Sequence, residues 1–237
     1  MIQLVTRLSI LPRIKLIPLL LLILGATFHP AAPLLPPTGG ILGEDNPGAQ
    51  TELPGLVDFS LLIHSGEADQ VVGLYAASLM AFPVVSQPAN QPSYVSTSED
   101  VLTQFASAGS HGSLGFLAHN NLAGSVFPDL VEGDILYVIY GDAHTVPYEV
   151  SQIRRFQATD PGSPYSSFID QADSTLLSAA DLFHQTYGIP GQLILQTCIA
   201  AYGNQSWGRL FVIASPVEAA DLDQAAAELH PYWLRLR

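Results

Sequence analysis

The chain has 237 residues, room for one domain plus targeting and linker sequence. Its formal net charge of −13 argues against nucleic acid as a partner, because phosphate backbones need a basic surface. A single cysteine, Cys198, excludes a disulfide within the chain, while 48% hydrophobic residues can fill a sizeable core.

From the N-terminus, Arg7, Arg13 and Lys15 precede an apolar run over 16–28, and no further charge occurs until Glu44. A basic flank, an apolar stretch and later acidic residues form the pattern of an export signal. Residues 1–29 are therefore read as a signal peptide or N-terminal membrane anchor. No Ala-x-Ala cleavage site follows, which favours the anchor. The positive flank stays in the cytoplasm, so the rest is expected outside the cell, or secreted if the signal is cleaved. Residues 30–55 are rich in Pro and Gly and lack periodicity, as expected of an extended linker.

A domain is expected over 56–217, without internal repeats. Residues 98–106 suggest a helix capped by Ser98 or Glu99. A short apolar run covers 115–119. Asp-Ile-Leu-Tyr-Val-Ile-Tyr over 134–140 predicts a strand, 141–144 a turn, and 147–153 the returning strand. Leu177, Ala180, Leu182 and Phe183 set a helical period over 174–187. Two β-branched apolar strands, 193–199 and 210–214, flank a polar loop over 201–208. Residues 218–237 form a tail with a short amphipathic helical pattern. Many short strands and few short helices predict a mostly β domain closed, or nearly closed, into a barrel.

Only three basic residues lie in the long middle of the chain: Arg154, Arg155 and Arg209. If the strands on either side of the polar loop pair antiparallel, Arg209 stands opposite Cys198. Their Cβ atoms would then be roughly 5 Å apart on one face. A nearby cation lowers a thiol's pKa, and a thiolate is the nucleophilic form. A guanidinium can also stabilise the oxyanion of a tetrahedral intermediate. Thiol attack on an amide needs a proton donor for the leaving amine, usually histidine. Of seven histidines, His111 and His119 flank one short apolar run. Both remain candidates on these grounds, with His119 favoured by its place at the C-terminal end.

The stretch 115–136, Gly-Phe-Leu-Ala-His-Asn-Asn through Leu-Val-Glu-Gly-Asp-Ile-Leu, resembles sortases around their catalytic histidine. Leu193-Ile-Leu-Gln-Thr-Cys198 resembles the family's Thr-Leu-x-Thr-Cys motif, with Ile194 at the family's first Thr. Arg209, opening Arg-Leu-Phe-Val-Ile-Ala, matches the family's arginine, and the order His, Cys, Arg agrees. The resemblance covers about residues 56–217. It implies a closed eight-stranded β-barrel and a two-step transpeptidation. Cys198 would be the nucleophile, His119 the acid and base, and Arg209 the oxyanion stabiliser, with Thr197 helping to bind substrate. It implies as partners secreted proteins bearing a sorting signal and an amine acceptor on the cell wall or another surface protein. The membrane is engaged through the N-terminal segment, and no cofactor is implied.

Two other readings fit the same residues: a cysteine hydrolase on this fold, and a non-catalytic extracellular β domain that binds peptide. No metal site is expected, since there is no His-Glu-x-x-His and one cysteine cannot build a zinc ribbon. Acidic residues such as Glu67, Asp69, Glu99 and Asp100 are read as solvated surface. Asn204-Gln205-Ser206 matches a glycosylation acceptor, a tripeptide common by chance.

Overall fold

A computed structural model describes residues 53–163 and 165–217. The expected anchor, most of the linker and the tail over 218–237 fall outside these residues. Among the described residues, no helix is long and apolar enough to cross a membrane.

Helix α1 (Leu56–Leu62) is followed by ten strands: β1 (Val71–Ala76), β2 (Met80–Ser86), β3 (Leu102–Gln104), β4 (Leu114–Leu117), β5 (Ile135–Tyr140), β6 (Thr145–Ala158), β7 (Phe168–Asp170), β8 (Leu176–Leu177), β9 (Leu193–Ala201) and β10 (Asn204–Pro216). Helix α2 (Ala106–Gly109) leads into β4, and α3 (Ala179–Tyr187) leads into β9. The strands pair in the order β10-β9-β4-β3-β2-β1-β5-β6, and β6 returns to pair with β10. That closure makes an eight-stranded barrel. β7 and β8 extend from β6 outside the ring. β2–β3 and β4–β9 are parallel pairs, and the remaining pairs are antiparallel. Closure removes the exposed edges that an open sheet of this size would carry.

The alternation of a strand sorts side chains between two cores. Leu74, Phe116, Leu136, Leu195 and Val212 fill the barrel. Leu117, Ile194, Phe156 and Phe211 point outward, where Leu182, Phe183 and Tyr187 of α3 cover them. On β9 this puts Leu193 and Leu195 inside and Ile194, Gln196 and Cys198 outside.

The closed, mostly β barrel is as expected, and strands cover the expected segments 135–140, 147–153, 193–199 and 210–214. Three elements differ. Residues 98–106 are not a helix. Leu102–Gln104 is strand β3, pinned between β2 and β4, and the helix starts at Ala106. The helix expected from residue 174 begins at Ala179, because Leu176 and Leu177 pair with β7. Ser178 is its N-cap, accepting from the Asp181 N–H at 3.1 Å while the Asp181 carboxylate accepts from the Ser178 N–H. The polar segment 201–208 is mostly strand, turning at Tyr202 and Gly203, with a register shift between Asn204 and Gly208.

Candidate active site

The β9–β10 hairpin sets the geometry. Tyr202 and Gly203 both have positive φ, 51° and 78°, as a tight turn matched to strand twist requires. Asn204 pairs with Ala201, the register then shifts, and pairing resumes at Gly208 opposite Ile199. Arg209 is the register partner of Cys198. Opposed residues share a face, here the outer one.

β4 lies parallel to β9 on its other side, with Leu117 opposite Gln196. The Ala118 N–H donates to the Gln196 carbonyl at 3.2 Å. The pairing ends at Leu117, and continuing its register by two residues would bring His119 level with Cys198. On that register the three candidate residues would form a row, His119, Cys198, Arg209, of which the Cys198–Arg209 pair is a ladder partner. His111 lies elsewhere. Its ring packs on Phe183 with centroids 4.9 Å apart, and its Nδ1 bonds the Ser107 carbonyl at 3.0 Å.

Arg209 is among the largest fully buried side chains, 1% exposed. Its Nη1 donates to the carbonyls of Gly208 at 2.8 Å and Ser206 at 3.1 Å. The guanidinium lies 6.0 Å from the centre of the Phe168 ring. Cys198 is 5% exposed. Burial pushes its thiol above the ordinary value, opposed by the Arg209 charge and a hydrogen bond from the Ser206 hydroxyl. His119 is half-buried. Burial pulls its imidazole below the ordinary value, opposed by a hydrogen bond to the Val95 carbonyl. That bond fixes the ring and leaves the other nitrogen for proton exchange. Both shifts favour neutral thiol and neutral imidazole near pH 7. The thiolate form then depends on Arg209 and Ser206.

Thr197 does not face this row. It is fully buried on the opposite face of β9, and its hydroxyl donates to the Ala118 carbonyl at 2.9 Å. Thr197, expected to help bind substrate, is thus tied to the turn that carries His119 through the Ala118 carbonyl. The N–H groups of Leu122 and Gly124 close that turn, each 3.0 Å from the His119 carbonyl. A Cβ at Gly124 would run into Thr197 Oγ1 and lie 2.8 Å from the His119 carbonyl. Gly124→Ala is therefore expected to destabilise the fold by about 1–3 kcal/mol through overpacking. Urea unfolding monitored by intrinsic fluorescence checks this.

Sequence reasoning missed Val95 and Ser206. Val95 acts through its backbone, which carries no side-chain signal. Ser206 stood out only as part of a tripeptide assigned to chance. A cavity of about 480 Å³ between β6 and residues 170–173 includes none of the three row residues. Among the described residues, no group of three or more His, Cys, Asp or Glu could hold a metal ion.

No protein-family model matches the chain. No curated protein matches it either. Solved structures similar to it include a lid mutant of sortase A from Corynebacterium diphtheriae, 18% identical with a TM-score of 0.39, covering 62% of this chain and 70% of that one. Sortase C-1 from Actinomyces oris is 17% identical with a TM-score of 0.40, covering 73% of this chain and 86% of that one. Sortase C from Clostridium perfringens is 18% identical with a TM-score of 0.37, covering 67% of this chain and 75% of that one. Likeness at this level assigns no residue its role. The barrel rests on its own strand pairing, and the candidate site on its own register.

Proposed function

We propose that the chain is a sortase-type cysteine transpeptidase. The observation that carries this reading is the register that pairs Arg209 with Cys198, while the β4 ladder runs towards them and ends two residues before His119. His119 takes the thiol proton of Cys198, and the resulting thiolate adds to the carbonyl carbon of a sorting motif in a secreted protein. Arg209 stabilises the oxyanion. The C–N bond breaks, His119 gives its proton to the leaving amine, and a thioester remains on Sγ. An amine on the cell wall or another surface protein then attacks the thioester. His119 takes the amine's proton, a new amide forms and the thiolate is released. In this reading residues 1–29 tether the enzyme to the membrane, with the barrel outside.

The test is product analysis with a panel of Leu-Pro-x-Thr-Gly-type peptides, with and without an added amine. An acyl-amine product that rises with amine concentration is expected. Cleavage that yields only free acid at saturating amine would make the chain a hydrolase. The burial of Cys198 favours a second reading, a non-catalytic extracellular β domain that binds peptide. Peptide binding without cleavage or a covalent adduct would select it.

A further inference from the structure

The register shift in β10 between Asn204 and Gly208 breaks the ladder beside the candidate site. A bulge of this kind re-aims side chains near active sites. Here it is held at two points. The Ser206 N–H donates to Asn204 Oδ1 at 2.8 Å. Asn120 Nδ2, next to His119, donates to the Gln205 carbonyl at 3.1 Å. The tripeptide that reads as a glycosylation acceptor thus has its Asn and Ser bonded to each other. Ser206 also bonds in two further directions. Its hydroxyl reaches Cys198, and its carbonyl accepts from Arg209 Nη1 at 3.1 Å.

We propose that Ser206 is a positioning residue that couples the nucleophile to its cation, its hydroxyl donating to Sγ and its carbonyl fixing the guanidinium. The proposal rests on the same site as the transpeptidase reading and adds the residue that aligns its two halves. A hydroxyl that donates to sulfur stabilises the thiolate over the thiol. The carbonyl holds Nη1 on the β10 side and so fixes the plane of the guanidinium beside Cys198. Asn120 ties the bulge to the His119 turn, so all three candidate residues share one support.

The test reads Cys198 ionisation directly, from the ultraviolet absorbance of the thiolate in the full chain as pH rises. The Cys198→Ser variant serves as the blank for tyrosine ionisation. Loss of a hydrogen bond to a charged group should move the midpoint in Ser206→Ala upward by about one pH unit. Ser206→Thr, which keeps the hydroxyl, should restore it. Asn204→Ala, exposed and pinning only the bulge, should shift it upward by less. A midpoint unchanged in Ser206→Ala would overturn the proposal, whatever Asn204→Ala shows. The titration needs no substrate. An upward shift in a chain that transfers no acyl group would uphold Ser206 and count only against the transpeptidase reading.

Discussion

Cys198→Ala is expected to abolish acyl transfer while leaving the barrel folded. In the proposed mechanism no other group can form the acyl intermediate, since Cys198 is the only thiol in the chain. The substitution removes one sulfur from a buried position on β9, a small loss of apolar contact of about 1 kcal/mol. Hydrogen bonds that involve the backbone of β9 stay intact, because the strand is paired on both sides. Loss of turnover should therefore come without loss of the cooperative unfolding transition. The check is the amine-dependent product assay run beside thermal unfolding of the same preparation. Residual transfer in Cys198→Ala would place the nucleophile elsewhere.

Arg209→Met is the second change with a large expected effect, and it separates chemistry from packing. Arg209 is buried with its Nη1 held by two carbonyls. Truncation to Ala would mix a cavity with loss of charge, whereas Met fills a similar volume. Met leaves the Gly208 and Ser206 carbonyls without this donor, a cost of about 1–3 kcal/mol that apolar packing partly offsets. Removing one oxyanion donor costs about 10²–10³ in rate. The cation also favours the Cys198 thiolate, so its loss should push the thiol further up. kcat/KM is expected to fall at least 100-fold, on the order of one oxyanion-hole donor, while the unfolding transition stays cooperative with a modestly lower midpoint. Arg209→Lys should not rescue the rate, because an ammonium lacks the planar fork. Near-normal kcat/KM in Arg209→Met would remove Arg209 from the mechanism.

The parts of the fold visible in the sequence were those with local signals. β5, the start of β6, β9 and β10 are β-branched or aromatic runs joined by short turns, so hairpin pairing follows from the chain itself. The facing of Cys198 and Arg209 was legible for the same reason. β3 was not, because Leu102–Gln104 is held by a parallel contact with β2 and an antiparallel one with β4, both from outside its own segment. β1 and β2 gave no clear signal either. Pro83 interrupts β2, and it is tolerated opposite Gly73 just before the residues that pair with β3. The helical period after residue 174 was real, but β-pairing of Leu176–Leu177 claimed its first turn. Ser178 and Asp181 carried the correct start as a capping box.

Within the candidate site, legibility ended where contacts pass through the backbone or a bulge. The Val95 carbonyl that steadies His119 has no residue-type signature. Thr197 lies next to the nucleophile in sequence, yet strand alternation turns it to the opposite face. Ser206 reaches Cys198 only because β10 shifts register before Gly208. Polar composition alone made the same segment look like a loop.

The most direct measurement is covalent trapping of the folded chain by a methanethiosulfonate reagent at neutral pH, followed by intact mass and peptide mapping. A shared site predicts one adduct, at Cys198, formed more slowly in Arg209→Met and His119→Ala than in the unchanged chain. A thiol that stays inert until the protein is unfolded, or that reacts at the same rate in all three, would contradict a nucleophile activated by these residues.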